Sequence, residues 1–204
     1  MYLLLTSKGL NTEKIRNEFT RLLSKPLKKI QVQIFYSEIK VPNMDLQAYI
    51  EEDKNHLIKF GIQPQNIKTH ELHQDNPPSL IQTDVIIMLG GNPFHYMNNI
   101  RKQGLELEIR TFIESGKVYV GRSAGAIIMS PDLVGSFFDM KNDVDLEDLS
   151  AFGFVDFYPV VHWDTKSGKK LSEIVKTSWE KDKQIICLTD QHAILATNKD
   201  FKII

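Results

Sequence analysis

Gly121-Arg122-Ser123-Ala124-Gly125-Ala126 is the stretch on which the reading of this chain turns. It begins where the strand-like run Lys117-Val118-Tyr119-Val120 ends, and it leads into a short helical run, Ala126-Ile127-Ile128-Met129. A serine between two glycines, entered from a strand and left through a helix, is the pattern of a nucleophile elbow. The turn holds the serine in a strained backbone conformation, so its neighbours have to be small. Its Oγ then projects beyond the carboxyl ends of the strands, where the following helix aims unpaired N–H groups. The expected chemistry is that of a serine hydrolase.

Upstream of the elbow, strands and helices alternate. Tyr2–Thr6 reads as a buried strand and Asn11–Ser24 as a helix with Ile15, Phe19, Leu22 and Leu23 on one side. Ile30–Tyr36 is a second strand, and Met44–Phe60 a second helix closed by Gly61. Asn66–Leu72 is a more polar strand, and Asp84–Leu89 is apolar throughout, as a parallel strand covered on both faces should be. Helical segments from Pro93 to about Glu114 lead into the elbow strand. This alternation predicts an α/β fold with a doubly wound, mainly parallel sheet and helices on both faces. Ligands of such sheets bind beyond the carboxyl ends of the strands, where the elbow falls. Downstream, Asp139–Asp148 is an acidic surface excursion, Phe152–His162 is strand-like and Ser167–Glu180 helical. Gln184–Leu188 and His192–Thr197 read as a closing pair of strands. No repeat or low-complexity linker interrupts residues 1–204, so one catalytic domain is expected.

Composition narrows the function classes. The 204 residues carry 42% hydrophobic and 25% charged residues, ordinary values for a globular protein. A net charge of −1 gives no electrostatic case for nucleic acid or an anionic membrane as partner. Met1-Tyr2-Leu3-Leu4-Leu5-Thr6 is too short for the apolar region of a signal peptide and lacks a basic leader. The single cysteine, Cys187, is expected to be a buried strand residue. Without an internal disulfide the chain suits a reducing cytoplasm. A monomer or homodimer is expected, with the strands near Gln184–Thr197 either a dimer edge or a capped one.

A serine nucleophile needs a base within hydrogen-bond reach and a third group to orient that base. His56, His70 and His73 lie in polar stretches, and His95 follows the Gly-Gly turn at the start of a helix. His162 ends the run Tyr158-Pro159-Val160-Val161 at the carboxyl end of a strand, which favours it as base over His192 in Asp190-Gln191-His192. For the acid, Asp132, Asp139, Asp143, Asp145, Asp148 and Asp156 all lie between Ser123 and His162. Asp139, after Gly135-Ser136-Phe137-Phe138, is the preferred orienter because that apolar pair can pin it to the body of the protein. The N–H of Ala124 is one natural oxyanion donor. Gly90-Gly91-Asn92 directly follows an apolar strand, so the N–H of Gly91 is the candidate for the second. Gly90, Asn92 and Arg122 stand beside these groups as expected substrate-binding positions. Arg122 is an anion anchor if it faces substrate and a structural contact if it points away.

Together, Gly-Gly-Asn after a strand, the Gly-x-Ser-Ala-Gly-Ala elbow and a histidine ending an apolar strand resemble the peptidase E family, from about Asp84 to His162. The resemblance implies a fold like that of class I glutamine amidotransferases and a serine peptidase acting on short peptides. It implies Ser123 as nucleophile, His162 as base, Asp139 as acid, and Gly91 and Ala124 as oxyanion donors, with no metal or organic cofactor. One departure bears on specificity. Family members that cleave after an N-terminal aspartate resemble one another in an arginine-bearing Glu-Thr-Arg-Glu segment after the histidine. Here that region reads Asp164-Thr165-Lys166-Ser167-Gly168-Lys169-Lys170. Lysines supply charge without the planar fork of arginine. Two alternatives stand beside the peptidase: an α/β-hydrolase esterase or thioesterase, which shares the elbow, and a non-catalytic binding protein on the same scaffold.

Overall fold

The strand β1 (Tyr2–Thr6) shows how the layers arise in a computed structural model that describes residues 1–37, 45–138, 140–163 and 184–204. Its side chains alternate, Leu3 and Leu5 entering one apolar core and Leu4 the other. The elbow strand β5 (Val118–Arg122) divides in the same way, with Tyr119 on the first side and Val118 and Val120 on the second. Two covered faces explain why these strands read as unbroken apolar runs. The Leu4 face is covered by α1 (Glu13–Leu22), through Ile15 and Phe19, and α2 (Leu46–Phe60), through Ile50 and Leu57. The Leu3 face is covered by α3 (Pro93–Lys102), α4 (Glu106–Glu114) and the short α5 (Ala124–Ile127).

The main sheet has seven strands in the order β3-β2-β4-β5-β1-β8-β9. β2 (Val32–Tyr36), β3 (Ile67–Glu71) and β4 (Val85–Met88) run parallel with β1 and β5. Their register aligns Ile34, Ile87, Val120 and Leu4 across four strands. β8 (Ala193–Thr197) joins β1 antiparallel, and β9 (Phe201–Ile203) extends that edge. A separate two-stranded parallel sheet pairs β6 (Phe157–Val160) with β7 (Gln184–Cys187).

Local signals explain the boundaries. The Thr12 and Asp45 side chains cap α1 and α2 by accepting from Ile15 and Ala48 N–H groups. Gly61, at φ 113°, ends α2 in the left-handed conformation that favours glycine. After β1 the chain crosses to α1 on one face, and after β5 to α5 on the other. The carboxyl ends of these neighbouring strands therefore flank a topological switch point.

Three details differ from the sequence reading. Residues 184–188 and 192–197 do not pair with each other: β7 joins β6, and β8 belongs to the main sheet. β9, at three residues, is too short to announce itself in sequence. Cys187 lies on β7 as expected, but its side chain is exposed, because on this outlying strand Ile186 is the residue that turns inward. The helix expected over residues 167–180 lies outside the described residues. Among the described residues, no helix is long and apolar enough to cross a membrane.

Candidate active site

Close packing accounts for both glycines of the elbow. A Cβ on Gly125 would stand 2.2 Å from the Met88 carbonyl oxygen, and one on Gly121 would stand 2.4 Å from that of Gly125. The Tyr119 hydroxyl donates to the Gly125 carbonyl at 2.7 Å, tying the turn to its own strand. Between the glycines Ser123 adopts φ 51° and ψ −109°, and its N–H donates to the Thr6 carbonyl at 2.9 Å. A non-glycine residue held at positive φ costs on the order of 1–3 kcal/mol, which the surrounding packing must over-determine. His162 is a second such residue, at φ 56°.

The two strained residues meet. His162 Nε2 lies 3.1 Å from Ser123 Oγ. On the other side of the ring, Nδ1 is 2.7 Å from Asp190 Oδ1. Ser7, one residue past β1, is fully buried beside them. Its hydroxyl donates to Asp190 Oδ1 at 2.6 Å and accepts the backbone N–H of His162 at 2.8 Å. Ser7 thus holds the strained histidine backbone and the carboxylate at once.

This arrangement selects the tautomer. An ionised carboxylate only accepts, so the Ser7 proton is directed at Asp190 and the Ser7 oxygen, 3.2 Å from Nδ1, faces the ring as an acceptor. Nδ1 therefore carries the ring proton, and Nε2 presents its lone pair to the Ser123 hydroxyl. Partial burial works to raise the Asp190 pKa. Hydrogen bonds from Ser7 and His162 outweigh that and hold the carboxyl below its usual range.

Every one of these groups follows the carboxyl end of a parallel strand: Ser7 after β1, Gly90 and Gly91 after β4, Ser123 after β5, His162 after β6 and Asp190 after β7. The Leu188 N–H donates to Val160 at 2.8 Å and the Trp163 N–H to Leu188 at 3.0 Å, which continues the β6–β7 ladder to the level of His162 and Asp190.

Of the residues singled out in sequence, Ser123 and His162 come together and His192 does not. The His192 ring instead meets Thr189 Oγ1 at 2.6 Å on an exposed turn. Asp139 lies outside the described residues. Among its former competitors, Asp132 accepts from the Tyr158 hydroxyl at 2.7 Å, Asp143 lies 2.5 Å from His95 Nε2, and Asp148 accepts from the Ser150 N–H at 2.9 Å. Asp190 and Ser7, which the structure brings to His162, are not singled out in the sequence reading. Asp190 stands there only as a neighbour of His192, and nothing local marks Ser7 beyond its place after an apolar strand.

Gly90 lies against Ser123, since a Cβ there would be 3.3 Å from Ser123 Cβ. Among the described residues, the N–H groups of Gly91 and Ala124 meet no hydrogen-bond acceptor. The Asn92 amide caps α3 by accepting from the Phe94 N–H at 3.0 Å and donates to the Lys141 carbonyl at 2.8 Å. Arg122 points away from Ser123 into the protein. It pairs with buried Asp53, lies 3.5 Å from Glu52 and stacks on Tyr49 at 4.1 Å from the ring centroid. Burial opposes the Arg122 charge, but the Asp53 carboxylate more than offsets this and raises the guanidinium pKa.

The family model described as "Peptidase family S51" matches residues 3–204, nearly the whole chain. The chain belongs to peptidase family S51. It is therefore a serine-type peptidase of the peptidase E kind, as the resemblance in sequence implied. Relatives of this S51 peptidase include the uncharacterized peptidase Lmo0363 of Listeria monocytogenes. That protein is 28% identical over 160 residues, covering 76% of this chain and 78% of the relative. Peptidase E of Salmonella gallinarum is 28% identical over 99 residues, covering 48% of this chain and 40% of the enzyme. The fold of the S51 peptidase matches a crystal structure of a Listeria monocytogenes protein solved as a candidate peptidase E. The TM-score is 0.80 at 24% identity, over 100% of this chain and 97% of that one.

Proposed function

We propose that residues 1–204 form one catalytic domain that hydrolyses short peptides, using Ser123 as nucleophile, His162 as general base and Asp190 as the carboxylate that orients it. The observation that carries this reading is the continuous path from Ser123 Oγ through the ring of His162 to Asp190, with contacts of 3.1 and 2.7 Å. As Oγ attacks the scissile carbonyl, Nε2 takes its proton, and Asp190 stabilises the imidazolium without itself becoming protonated. The N–H groups of Gly91 and Ala124 receive the oxyanion. Collapse of the tetrahedral intermediate breaks the C–N bond, and His162 hands its proton to the departing amine. Water then repeats the sequence on the acyl-enzyme and releases the second product.

An acidic N-terminal residue is the first specificity to examine. Lys166, Lys169 and Lys170 stand where arginine serves relatives that cleave after aspartate, and a looser preference for acidic residues follows. The test is hydrolysis of a panel of X-p-nitroanilides and dipeptides by wild type and Ser123→Ala. Turnover on some member that falls about 10⁶-fold in the variant supports the reading. Equal inertness of both proteins across the panel overturns it.

A further inference from the structure

Gly90 is gripped from two sides, through the two peptides it joins, by tyrosines that take no part in proton transfer. The hydroxyl of Tyr96, a fully buried residue of α3, donates to the Gly90 carbonyl at 3.3 Å. The Tyr49 hydroxyl, on α2, accepts the Gly90 N–H at 3.2 Å. The first bond bears directly on the oxyanion site. The Gly90 carbonyl and the Gly91 N–H belong to one planar peptide unit, and in a trans peptide they point in opposite directions. Holding the carbonyl toward the buried side therefore aims the N–H the other way. Glycine at position 90 has little else to resist a rotation of that plane.

We propose that Tyr96 and Tyr49 are positioning residues for the oxyanion site, setting the Gly90–Gly91 peptide so that the Gly91 N–H is already aimed when the tetrahedral oxygen forms. This rests on the reading of Ser123 as nucleophile and Gly91 as oxyanion donor. The two grips are not equivalent. Tyr96 fixes the peptide that carries the donor, whereas Tyr49 fixes the preceding one. Full burial raises the Tyr96 phenol pKa well above its usual value, with Tyr49 adding to the shift, so Tyr96 retains the proton it donates. Tyr49 is itself steadied by the elbow, because the Arg122 guanidinium stacks on its ring and is anchored in turn by Asp53. A Cβ at position 90 would lie 2.5 Å from Tyr49 Oη, so the grip also requires glycine there. The strand-end loop after β4 and the elbow after β5 are thereby tied together through α2. A preorganised donor contributes because its orientation costs nothing at the moment charge develops.

The decisive variant is Tyr96→Phe, which keeps the ring and removes only the hydroxyl. Losing an oxyanion donor outright costs about 10²–10³-fold in kcat. Losing its alignment is expected to cost about 10- to 100-fold, with KM nearly unchanged. Rates are normalised to active sites titrated with a serine-directed phosphonate, so a smaller folded fraction cannot imitate the effect. A peptide aldehyde, whose tetrahedral adduct places an oxyanion in the same site, should lose affinity in parallel, while inhibition by the peptide product should not. Tyr49→Phe should show the same pattern to a smaller extent, and it takes the place of Tyr96→Phe if that protein does not fold. Wild-type kcat per titrated site and wild-type aldehyde affinity in the folded variant would overturn the proposal. Absence of any Ser123-dependent turnover in the wild type would instead overturn the peptidase reading, and this inference with it.

Discussion

Ser123 is built into a seven-stranded sheet covered by helices on both faces, whereas His162 and Asp190 extend from the two-stranded pair β6–β7 beside it. On the elbow side, backbone meets backbone so closely that no Cβ fits at Gly121 or Gly125, and a buried ion pair, Arg122–Asp53, stands behind the turn. On the other side, Asp190 is only partly buried, and β7 turns a single well-buried side chain, Ile186, inward. Ser7 bridges the two regions, since it follows β1 of the large sheet yet binds both His162 and Asp190. The contrast separates two tasks. In the proposed reaction the large sheet holds Ser123 through packing, and the small pair delivers His162 and Asp190 through a few charge-assisted hydrogen bonds. Lesions on the elbow side should therefore appear first as lost stability, and lesions on the β6–β7 side first as lost turnover.

The largest expected effect on stability comes from Arg122→Met. It strands the Asp53 carboxylate in a buried site, where burial already pushes its pKa up against the pull of Arg122. Breaking a buried pair in this way costs about 3–5 kcal/mol. Urea denaturation should show that loss, and Arg122→Met with Asp53→Leu should recover most of it. If the single variant is as stable as wild type, the elbow does not depend on the pair. Gly125→Ala should cost about 1–3 kcal/mol, because its methyl group meets the Met88 carbonyl. A melting temperature equal to that of wild type would mean that β4 and α5 separate more easily than the packing implies.

Ser7→Ala sharpens the contrast from the other side. It removes a hydrogen bond to a charged group, typically about 1.5–3 kcal/mol, so kcat should fall about 10- to 100-fold and the melting temperature by a few degrees, less than for Arg122→Met. It should also shift the acid response. The Asp190 carboxyl is held below its usual pKa in the folded protein, so its contribution to stability is present above the unfolded pKa and lost as pH falls through the folded one. Without the Ser7 donor the folded pKa rises toward the unfolded one, so this contribution is smaller and its loss is complete at a higher pH than in wild type. Superimposable acid-unfolding curves would remove Ser7 from the account.

The same division governs what could be read in advance. The elbow is legible because its requirements are local: strand, two glycines, serine and helix occupy one stretch, and apolar runs such as Val85–Met88 mark the parallel strands around it. His162 is legible as a histidine ending a strand. Asp190 is not, because its place depends on β7 lying parallel to β6, whose residues are more than twenty positions upstream. Residues 188–192 look in sequence like a turn between neighbouring strands, which hides the fact that Asp190 emerges beside His162. Ser7 carries no motif, and only the fold gives it two partners. The exposure of Cys187 follows from the same misplaced pairing.

The central claim is that the carboxylate behind the base belongs to Asp190. The measurement that tests it most directly is kcat for Asp190→Asn and Asp139→Asn on whichever X-p-nitroanilide the wild type cleaves best. Both rates are to be taken per phosphonate-titrated site. The account predicts a loss of about 10⁴-fold for Asp190→Asn, the scale on which an amide in place of the orienting acid disfavours the productive histidine tautomer, and a near-wild-type rate for Asp139→Asn. The reverse pattern, with Asp139→Asn disabled and Asp190→Asn active, would contradict it.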